Sequence, residues 1–443
     1  MRLTTGGDNV RRRIIGFELS ANKVQGIILN SLTYAAGKLW NVANYERRCW
    51  SYDSGMKYPD WYEQKKRMKD HYWYKSLPSQ TAQELLKQLH EAWQSYNKVK
   101  RTGGTINPQP PGYKQTGATI RYLNNGFVIK EGIIRLTIPK QQKEYLAKKH
   151  NITAEYLYLR IPDEYRSFQC NLKMIEIIPL KKEKYKVNMI IELPKAEYQA
   201  ENEVYMSVDL GINNLITCHT TTGKSIIISG RQLLSINRYF DKTIGYYQSI
   251  ANAQQYASGN KYPKRTRRIQ QLYEKRSRQV NHLLHTATKS VVKFAVDEGV
   301  TKIIIGEISN IREDKDMGRV NNQKFHKWPF GRIKQLLAYK AEDKGIRMEV
   351  QEESFTSQCS PYAAEVSEQY AHKSNRKHRG LFVIEGKAFN ADCIGAYNIM
   401  RKYLCRTGKP SPAVVGLDTP MMYRWNSNKG FVSNQKLVIS MAM

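Results

Sequence analysis

The stretch VYMSVDLGINNL, residues 204–215, begins as an apolar run of the kind that forms a core strand, yet it leads into Asp209 and then a glycine. A buried carboxylate is costly unless a cation or a hydrogen-bond donor meets it. Asp209 therefore either belongs to a turn or binds a metal ion. The composition and the other motifs of the chain decide between these two explanations.

The chain carries a strong excess of positive charge. Its 443 residues include 71 Lys and Arg against 39 Asp and Glu, a formal net charge of +32. Such an excess indicates a nucleic-acid partner before a membrane or an acidic protein. With 41% hydrophobic residues the chain can bury sizeable cores, and its length predicts two or three domains.

The sequence offers no sign of export or of a disulfide framework. No apolar run approaches about 18 residues, and the basic start MRLTTGGDNVRRR is not followed by a hydrophobic signal core, so we expect a cytoplasmic protein. The cysteines are scattered and contain no Cys-x-x-Cys pair, which argues against disulfides and against an ordinary zinc ribbon. They are Cys49, Cys170, Cys218, Cys359, Cys393 and Cys405.

Helical patterns follow a strand-like opening. Residues 10–30, with IIGFEL and VQGIILN, read as strands, and helices are predicted from about 31 to 100. In SQTAQELLKQLHEAWQSY, residues 79–96, Thr81 and Glu84 have the spacing of a capping box. Apolar residues at helical spacing predict one amphipathic face, namely Ala82, Leu85, Leu86, Leu89, Ala92, Trp93 and Tyr96.

The rest of the chain has two further patterns. After a loop rich in Gly and Pro, residues 118–198 hold short strands separated by turns, which predicts a compact barrel or sandwich. From about residue 203 strands alternate with long helices, the pattern of an α/β domain.

Three acids of the α/β region lie at strand ends or at a helix start. Asp209 follows VYMSV, Glu307 follows TKIIIG, and Asp392 opens a helical pattern in FNADCIGAYNIMRKYL. Gly395 and Ala396, on the same helix face as Asp392, would let that helix pack closely on a sheet and bring the acids together. Clustered carboxylates require cations and suit Mg²⁺. Two such ions, roughly 3.5–4 Å apart, can activate water and stabilise the leaving oxygen of a phosphodiester.

The order of the elements supports a nuclease. LITCHTTTGKSIIISG, residues 215–230, predicts a β-hairpin, and strand, hairpin, helices and strand in this order are typical of RNase H-like nucleases. The segment 231–298 is predicted to be helical. Within it, KYPKRTRRIQQLYEKRSRQV, residues 261–280, carries eight bases and one acid, which suits nucleic-acid phosphates.

Each acid also has a simpler explanation. Taken singly, Asp209 is a turn residue, Glu307 a solvated side chain and Asp392 a helix cap. Their joint order, in a chain with a net charge of +32, favours the nuclease.

These residues resemble a known family. DLGINNL at 209–215, EISN at 307–310, SFTSQCS at 354–360 and NADCIGAYNI at 390–399 are similar to motifs of the RuvC-like nuclease in transposon-encoded TnpB proteins. The same motifs occur in their descendants, the miniature type V CRISPR effectors. They cover about 205–404, and the amino-terminal half is similar through the PSQTAQELLKQL helix and the PPGYK loop.

The resemblance implies an RNA-guided DNA endonuclease that cuts double-stranded DNA beside a short adjacent motif. It implies one RuvC-like site in which Asp209, Glu307 and Asp392 form the catalytic triad and hold Mg²⁺, with two ions expected. Guide RNA and target DNA would be the partners; base pairing supplies sequence specificity while the protein reads shape and backbone. We expect a bacterial or archaeal protein without a membrane partner, and a monomer in preference to a homodimer.

The resemblance also implies a multidomain α+β fold: a β-barrel wedge domain and a helical recognition lobe, then an RNase H-like (RuvC) α/β nuclease with a small inserted hairpin domain. The expected boundaries are 1–30 and 101–200 for the wedge, 31–100 for the recognition domain, 201–355 and 391–405 for the nuclease, 356–390 for a degenerate zinc-ribbon-like insert and 406–443 for a carboxy-terminal tail.

The sequence departs from the family pattern in two places. Most relatives carry a four-cysteine zinc ribbon in the insert, where only Cys359 remains here, so we expect no zinc. Ile394 stands where relatives commonly have asparagine, which removes a possible hydrogen bond but not the metal ligand. The insert could still fold as a hairpin with bases facing phosphates, or form a solvated loop; these bases are Lys373, Arg376, Lys377 and Arg379.

Two other basic stretches are predicted to contact nucleic acid. In YPDWYEQKKRMKDHYWYK, residues 58–75, aromatics could stack on bases or pack internally. The bases expected at phosphates are Lys65, Lys66, Arg67 and Lys69 in this stretch, and Lys264, Arg265, Arg267, Arg268, Lys275, Arg276 and Arg278 in the stretch 261–280.

Two other functions use the same residues. An unguided RNase H-like nuclease, such as a transposase or junction resolvase, would need the same acids but leaves the large amino-terminal half unexplained. A guided DNA-binding repressor without cleavage would be marked by loss of an acid, and all three acids are present.

Overall fold

The computed structural model describes residues 10–51, 55, 57–103, 107–180, 184–307, 327–378 and 380–433. They form two compact units that divide between Lys195 and Ala196. The mixed α+β, multidomain fold predicted from the sequence is confirmed. Within the described ranges, no helix is both long enough and apolar enough to cross a membrane.

The amino-terminal unit contains helices and strands that share one hydrophobic core. Its helices are α1 (Lys23–Cys49), α2 (Trp61–Arg67), α3 (Tyr72–Lys75), α4 (Ser79–Thr102) and α5 (Lys140–His150). Its strands are β1 (Val10–Ser20), β2 (Ile120–Leu123), β3 (Phe127–Lys130), β4 (Ile133–Thr137), β5 (Tyr156–Arg160), β6 (Leu172–Pro179) and β7 (Lys184–Pro194).

The strands of this unit pair into two sheets. One has the order β1-β7-β6-β2 and the other β3-β4-β5, and every pair is antiparallel. Helix α5 interrupts the β-rich region, which the strand pattern did not predict. The wedge barrel stays a prediction, because the described hydrogen-bonded pairs form two sheets rather than one closed ring.

Helix α1 begins earlier than the sequence pattern predicts. Asn22 Oδ1 accepts a hydrogen bond from the Gln25 backbone N–H at 2.9 Å, and the Gln25 side chain accepts one from the Asn22 N–H at 3.0 Å. This capping box satisfies two backbone donors at the start of the helix. The segment VQGIILN is therefore helical, and the predicted strand over 10–30 is wrong beyond Ser20.

The structure confirms the predicted apolar face of α4 but not the predicted capping box at its N-terminus. Ala82 and the three leucines at 85, 86 and 89 are buried. The helix begins at Ser79 without a side-chain cap. The Thr81 hydroxyl instead donates to the Arg121 carbonyl at 2.8 Å, tying the helix to β2. The capping box predicted from Thr81 and Glu84 is wrong because this tertiary contact engages the hydroxyl.

The carboxy-terminal unit is built on one seven-stranded sheet. The strands of the whole unit are β8 (Tyr205–Asp209), β9 (Asn214–Thr220), β10 (Ser225–Ser229), β11 (Lys302–Glu307), β12 (Arg347–Glu352), β13 (Leu381–Ile384), β14 (Lys387–Asn390), β15 (Met421–Asn426) and β16 (Gly430–Ser433). Its α-helices are α6 (Arg231–Ala257), α7 (Arg267–Asp297), α8 (Phe330–Glu342) and α9 (Ala391–Arg406).

The sheet order is β12-β11-β8-β9-β10-β15-β16, while β13 and β14 form a separate hairpin. Strands β8, β9 and β10 are antiparallel neighbours, and β11 and β12 run parallel to β8. The chain after α9, whose role could not be derived from its sequence, returns to the sheet, where β15 runs parallel to β10.

Helices cover both faces of this sheet. Ile303 and Ile305 of β11 pack in the core that contains α6, α7 and α8, whereas Ile304 packs with Ile399 and Met400 of α9. Successive side chains of a strand point to opposite faces. The alternation therefore defines an α9 face of the sheet and an opposite, three-helix face.

Replacing Leu86 with alanine should destabilise the amino-terminal unit by about 2–5 kcal/mol, because the side chain is fully buried between elements and would leave a cavity. Hydrogen exchange should accelerate in peptides from α1 and α4. The exposed neighbour Lys87, changed to alanine, is the matched control. Equal exchange in the two variants would contradict the packing described here.

Candidate functional site

Asp209 is the last residue of β8, an inner strand of the sheet whose other residues are buried. The chain then turns tightly, and the Gly211 N–H donates to the Leu215 carbonyl at 3.4 Å. A Cβ at position 211 would lie 2.6 Å from the Asn214 carbonyl oxygen, so the turn requires glycine. The apolar run ends on Asp209 because strand β8 ends there.

Asp392 lies in the first turn of α9 but does not cap it. The cap is Asn390, whose Oδ1 accepts from the backbone N–H groups of Asp392 at 3.0 Å and Cys393 at 3.3 Å. The Asp392 carboxylate instead accepts from Asn214 Nδ2 at 2.6 Å and lies 3.4 Å from Arg376 Nη2. The simpler explanation of Asp392 as a helix cap is therefore wrong.

The two aspartates meet because α9 packs closely on β8. A Cβ at Gly395 would lie 2.8 Å from Asp209 Oδ2. The Asp209 residue keeps some exposed area, but its carboxyl group is enclosed. Burial, and next the charge of Asp392, raise the pKa of Asp209 to about 7, against the opposing effects of Arg376 and the Leu210 N–H. An acid so perturbed beside a second acid is typical of a functional site.

Glu307, the third predicted acid, ends β11 with an exposed side chain. It continues the series of Ile303 and Ile305, which belongs to the three-helix face, and its partner in the ladder is Glu352 of β12. The residue of β11 just before Glu307, Gly306, is on the α9 face. Glu307 therefore lies at the same end of the sheet as Asp209, and its ladder partner Glu352 pairs with Lys402 of α9.

Glu353 is an acid of this edge that the sequence interpretation missed. It follows β12 directly, and a Cβ at Gly306 would collide with Glu353 Oε2. Burial first, then the charges of Asp209, Glu352 and Glu307, raise the pKa of Glu353 to about 8, while Lys334 opposes the rise. The same signal that identified Asp209 and Glu307, an acid at the end of a strand, could have identified Glu353 after RMEVQE.

Carboxylate oxygens are the ligands that Mg²⁺ prefers, and Glu353 Oε2 is buried without a hydrogen-bond partner. These donors fit a divalent cation by their chemistry. As placed, however, no group of three or more His, Cys, Asp or Glu side chains in the described part of the chain is close enough to hold a metal ion. The acids share one edge without converging on one point.

The basic stretch 261–280 lies on the loop before α7 and on α7 itself. Arg276 donates to Asn237 Oδ1 at 3.1 and 2.7 Å through two nitrogens, so its guanidinium joins α7 to α6. Arg265 and Arg268 stack over Tyr273 and Tyr247. Of the bases predicted to contact phosphates in this stretch, the exposed ones are Lys264, Arg265, Arg267, Arg268, Lys275 and Arg278.

Two of the basic side chains on α2 contact other side chains of their own unit. Arg67 lies 3.1 Å from a Glu46 carboxylate oxygen, and Lys65 lies over the Trp61 ring at 5.1 Å. Lys66 and Lys69 are exposed. The phosphate contacts predicted for all four residues stay predictions.

In the insert, Lys373 and Lys377 are exposed, Arg376 is partly buried against Asp392, and Arg379 lies outside the described residues. Helix α9 holds the base of the insert, since Asn398 Nδ2 donates to the Thr356 carbonyl at 2.8 Å and Arg401 Nη1 donates to the Ser360 carbonyl at 3.0 Å.

The sequence matches two family models. OrfB_IS605, described as a probable transposase, matches residues 186–312, and the TNB domain of Cas12f1-like proteins matches residues 330–399. These two matches include Asp209 and Asp392 respectively, and Glu307 lies within the first.

Comparisons over most of the chain point to the same group of proteins as the two family models. A TnpB-like protein of Acidianus two-tailed virus is 25% identical over 431 residues, which cover 89% of this chain and 87% of that protein. A chain in the cryo-EM structure of a Cas12f1–sgRNA–target DNA complex shares the fold, with a TM-score of 0.53 and 14% identity over 86% of this chain and 83% of that chain. The resemblance to TnpB-like proteins and miniature type V effectors is confirmed.

Replacing Asp209 with asparagine should stabilise the metal-free protein at pH 8 and have little effect at pH 4. The unfolded chain ionises this aspartate near pH 4, whereas the folded protein does so at about pH 7. Stability is therefore lost as the pH rises from about 4 through 7, and asparagine removes that loss, on the order of 4 kcal/mol.

Unfolding in EDTA at the two pH values measures this difference. Asp418→Asn, at an exposed aspartate of the same unit, is the control. A gain that is equal at both pH values would contradict the burial of the Asp209 carboxyl.

Proposed function

We propose that this TnpB-like chain is an RNA-guided DNA endonuclease with one RuvC-like, RNase H-like site that cuts double-stranded DNA beside a short adjacent motif. The observation that carries the proposal is the enclosed Asp209 carboxyl beside Asp392, at the edge of a sheet whose segments match the two family models. The formal charge of +32 suits a protein that holds two nucleic acids.

Asp209, Glu307 and Asp392 would hold divalent cations, with two Mg²⁺ ions expected. When bound, such ions activate a water and stabilise the leaving oxygen of the phosphodiester. Asn214 and Arg376 position the Asp392 carboxylate through their hydrogen bonds. The exposed side of the edge, where Glu307 lies, admits a DNA strand.

The basic residues hold phosphates and the guide RNA supplies the sequence specificity. The exposed bases on and before α7, with Lys66, Lys69, Lys373 and Lys377, are the residues we assign to phosphates. Arg276 has an internal partner and serves packing first, whereas Arg67 pairs with Glu46 and stays exposed.

The remaining domains follow the family pattern in this proposal. Residues 1–30 and 101–200 form the wedge, 31–100 the recognition domain and 356–390 the insert. The insert works without zinc, because hydrogen bonds from Asn398 and Arg401 hold its base. The protein acts as a monomer on guide RNA and target DNA.

Purification of the wild-type protein from cells that carry its own flanking DNA tests the guided function. We expect one discrete, nuclease-resistant RNA with a structured part and a variable end. Programmed with that RNA, the protein should cleave matching double-stranded DNA in Mg²⁺. Asp209→Ala should lower cleavage by more than about a thousandfold and retain the RNA.

The outcomes separate the rival functions. Mg²⁺-dependent cleavage without any discrete RNA would establish the unguided nuclease. A discrete RNA with target binding but no cleavage by the wild type would establish the guided repressor. Cleavage retained in Asp209→Ala would remove Asp209 from the site.

Gly395→Ala should also impair cleavage, by at least about tenfold, because its Cβ would lie 2.8 Å from Asp209 Oδ2 and displace that carboxylate. Gly331→Ala, in helix α8, has open space around its Cβ and is the matched control. Circular dichroism should show both variants folded. Equal cleavage rates in the two variants would contradict the close packing of α9 on Asp209.

A further inference from the structure

Helix α6 carries a row of exposed apolar side chains. Tyr239 and Tyr246 are 57% and 62% exposed, and Ile250, one turn after Tyr246, is 39% exposed. The spacing i, i+7 and i+11 places these three side chains on one face of the helix. Because apolar surface in water is unfavourable, a row of this kind is typical of a binding surface.

A lysine lies within this row. Lys242 is exposed and stands three residues after Tyr239 and four before Tyr246, the separations at which side chains are neighbours on a helix. The acid next to it in the sequence, Asp241, forms an ion pair with Lys327 at 2.7 Å. The row therefore presents two aromatic rings with a positive charge between them.

The row also meets a basic residue of α7. The rings of Tyr246 and Tyr247 pack edge to face with their centroids 5.2 Å apart. The Arg268 guanidinium lies over the Tyr247 ring, 3.8 Å from its centroid, and this cation–π contact holds an exposed arginine beside the tyrosines. Aromatic rings of α6 and a cation of α7 thus belong to one surface.

The charge of this part of the unit indicates the kind of partner. Residues 238–278, which include most of α6, the connecting loop and the start of α7, hold ten Lys and Arg against two acids. A second copy of the chain would bring the same positive charge to the surface and be repelled. A nucleic-acid strand suits both features, because nucleobases stack on aromatic rings while phosphates meet lysine and arginine.

We propose that the surface formed by Tyr239, Lys242, Tyr246, Ile250 and Arg268 binds single-stranded nucleic acid. Unpaired nucleobases stack on the two tyrosines, and phosphates contact the lysine and the arginine. In a duplex the faces of the nucleobases are covered by their neighbours, so a paired strand cannot stack in this way. The inference rests on the proposed function only in taking a nucleic acid as the ligand. The strand is an unpaired part of the RNA or a displaced DNA strand, which share this chemistry.

Photocrosslinking with oligonucleotides that contain 5-iodouracil, mapped by mass spectrometry, locates the stacked nucleobases. The full-length protein is first freed of copurified nucleic acid in high salt. A single strand should crosslink to Tyr239 or Tyr246, and the same strand annealed to its complement should do so at least about tenfold less. RNA and DNA strands at equal concentration identify the source of the ligand. No crosslink on α6, or equal yields from strand and duplex, would overturn the inference.

Two substitutions separate stacking from charge, with the crosslink at Tyr239 as the measure of binding. Tyr246→Ala should weaken binding of the single strand by about 5- to 100-fold. It should leave the salt dependence unchanged, because a stacked ring releases no counterions. Lys242→Ala should instead lower the slope of log affinity against log salt concentration by about one.

Tyr246→Phe keeps the ring and should bind like the wild type. Tyr158→Ala, at an exposed tyrosine of the amino-terminal unit, is the control for loss of a surface ring. Circular dichroism should show all variants folded. A loss that Tyr246→Phe shares with Tyr246→Ala would assign the effect to the hydroxyl and contradict stacking.

Failure of the inference is distinguishable from failure of the proposed function. Guided DNA cleavage without a crosslink on α6 overturns the strand site alone. Crosslinks on α6 in a protein that holds no discrete RNA and does not cleave DNA support the strand site and overturn the proposed function. A dimer, detected by analytical ultracentrifugation, that Tyr239→Ala and Tyr246→Ala both dissociate would make this row a contact between two copies and overturn the inference.

Discussion

The close approach of α9 to β8 is the contact on which the proposed chemistry depends. It is possible because residue 395 is glycine, and it encloses the Asp209 carboxyl beside Asp392. Two acids in this environment repel each other and lose their hydration. In the proposed site, this packing raises the free energy of the cation-free state, so that a bound cation would gain more free energy there than at a solvated carboxylate.

The sequence interpretation succeeded where the signal was local and periodic. Strand-ending acids and the i, i+3, i+4 pattern of α4 are readable from neighbouring residues, and the predicted face of α4 is buried. The sequence interpretation failed where a hydrogen bond to a residue distant in sequence determined what a side chain does. Thr81 binds the Arg121 carbonyl rather than capping its own helix, and the Asn390 cap leaves Asp392 available for Asn214. Glu353 was missed although, like Asp209 and Glu307, it is an acid at the end of a strand.

Net charge counts every charged residue of the sequence, but only side chains that are free at the surface can contact a nucleic acid. Arg276 is partly buried against Asn237, and Arg376 is turned toward Asp392. A basic stretch in a sequence therefore predicts a nucleic-acid partner more reliably than it predicts which side chains contact phosphates. Within the described part of that unit, the exposed bases that we assign to phosphates lie before and along α7 and in the insert.

The parallel pairing of β15 with β10 has a consequence for synthesis. Between these strands the chain makes α6 through α9, so the edge of β10 emerges from the ribosome long before its partner. An unpaired strand edge is a template for association with other chains. The carboxy-terminal unit therefore has a period of vulnerability during synthesis that ends only when β15 pairs with β10.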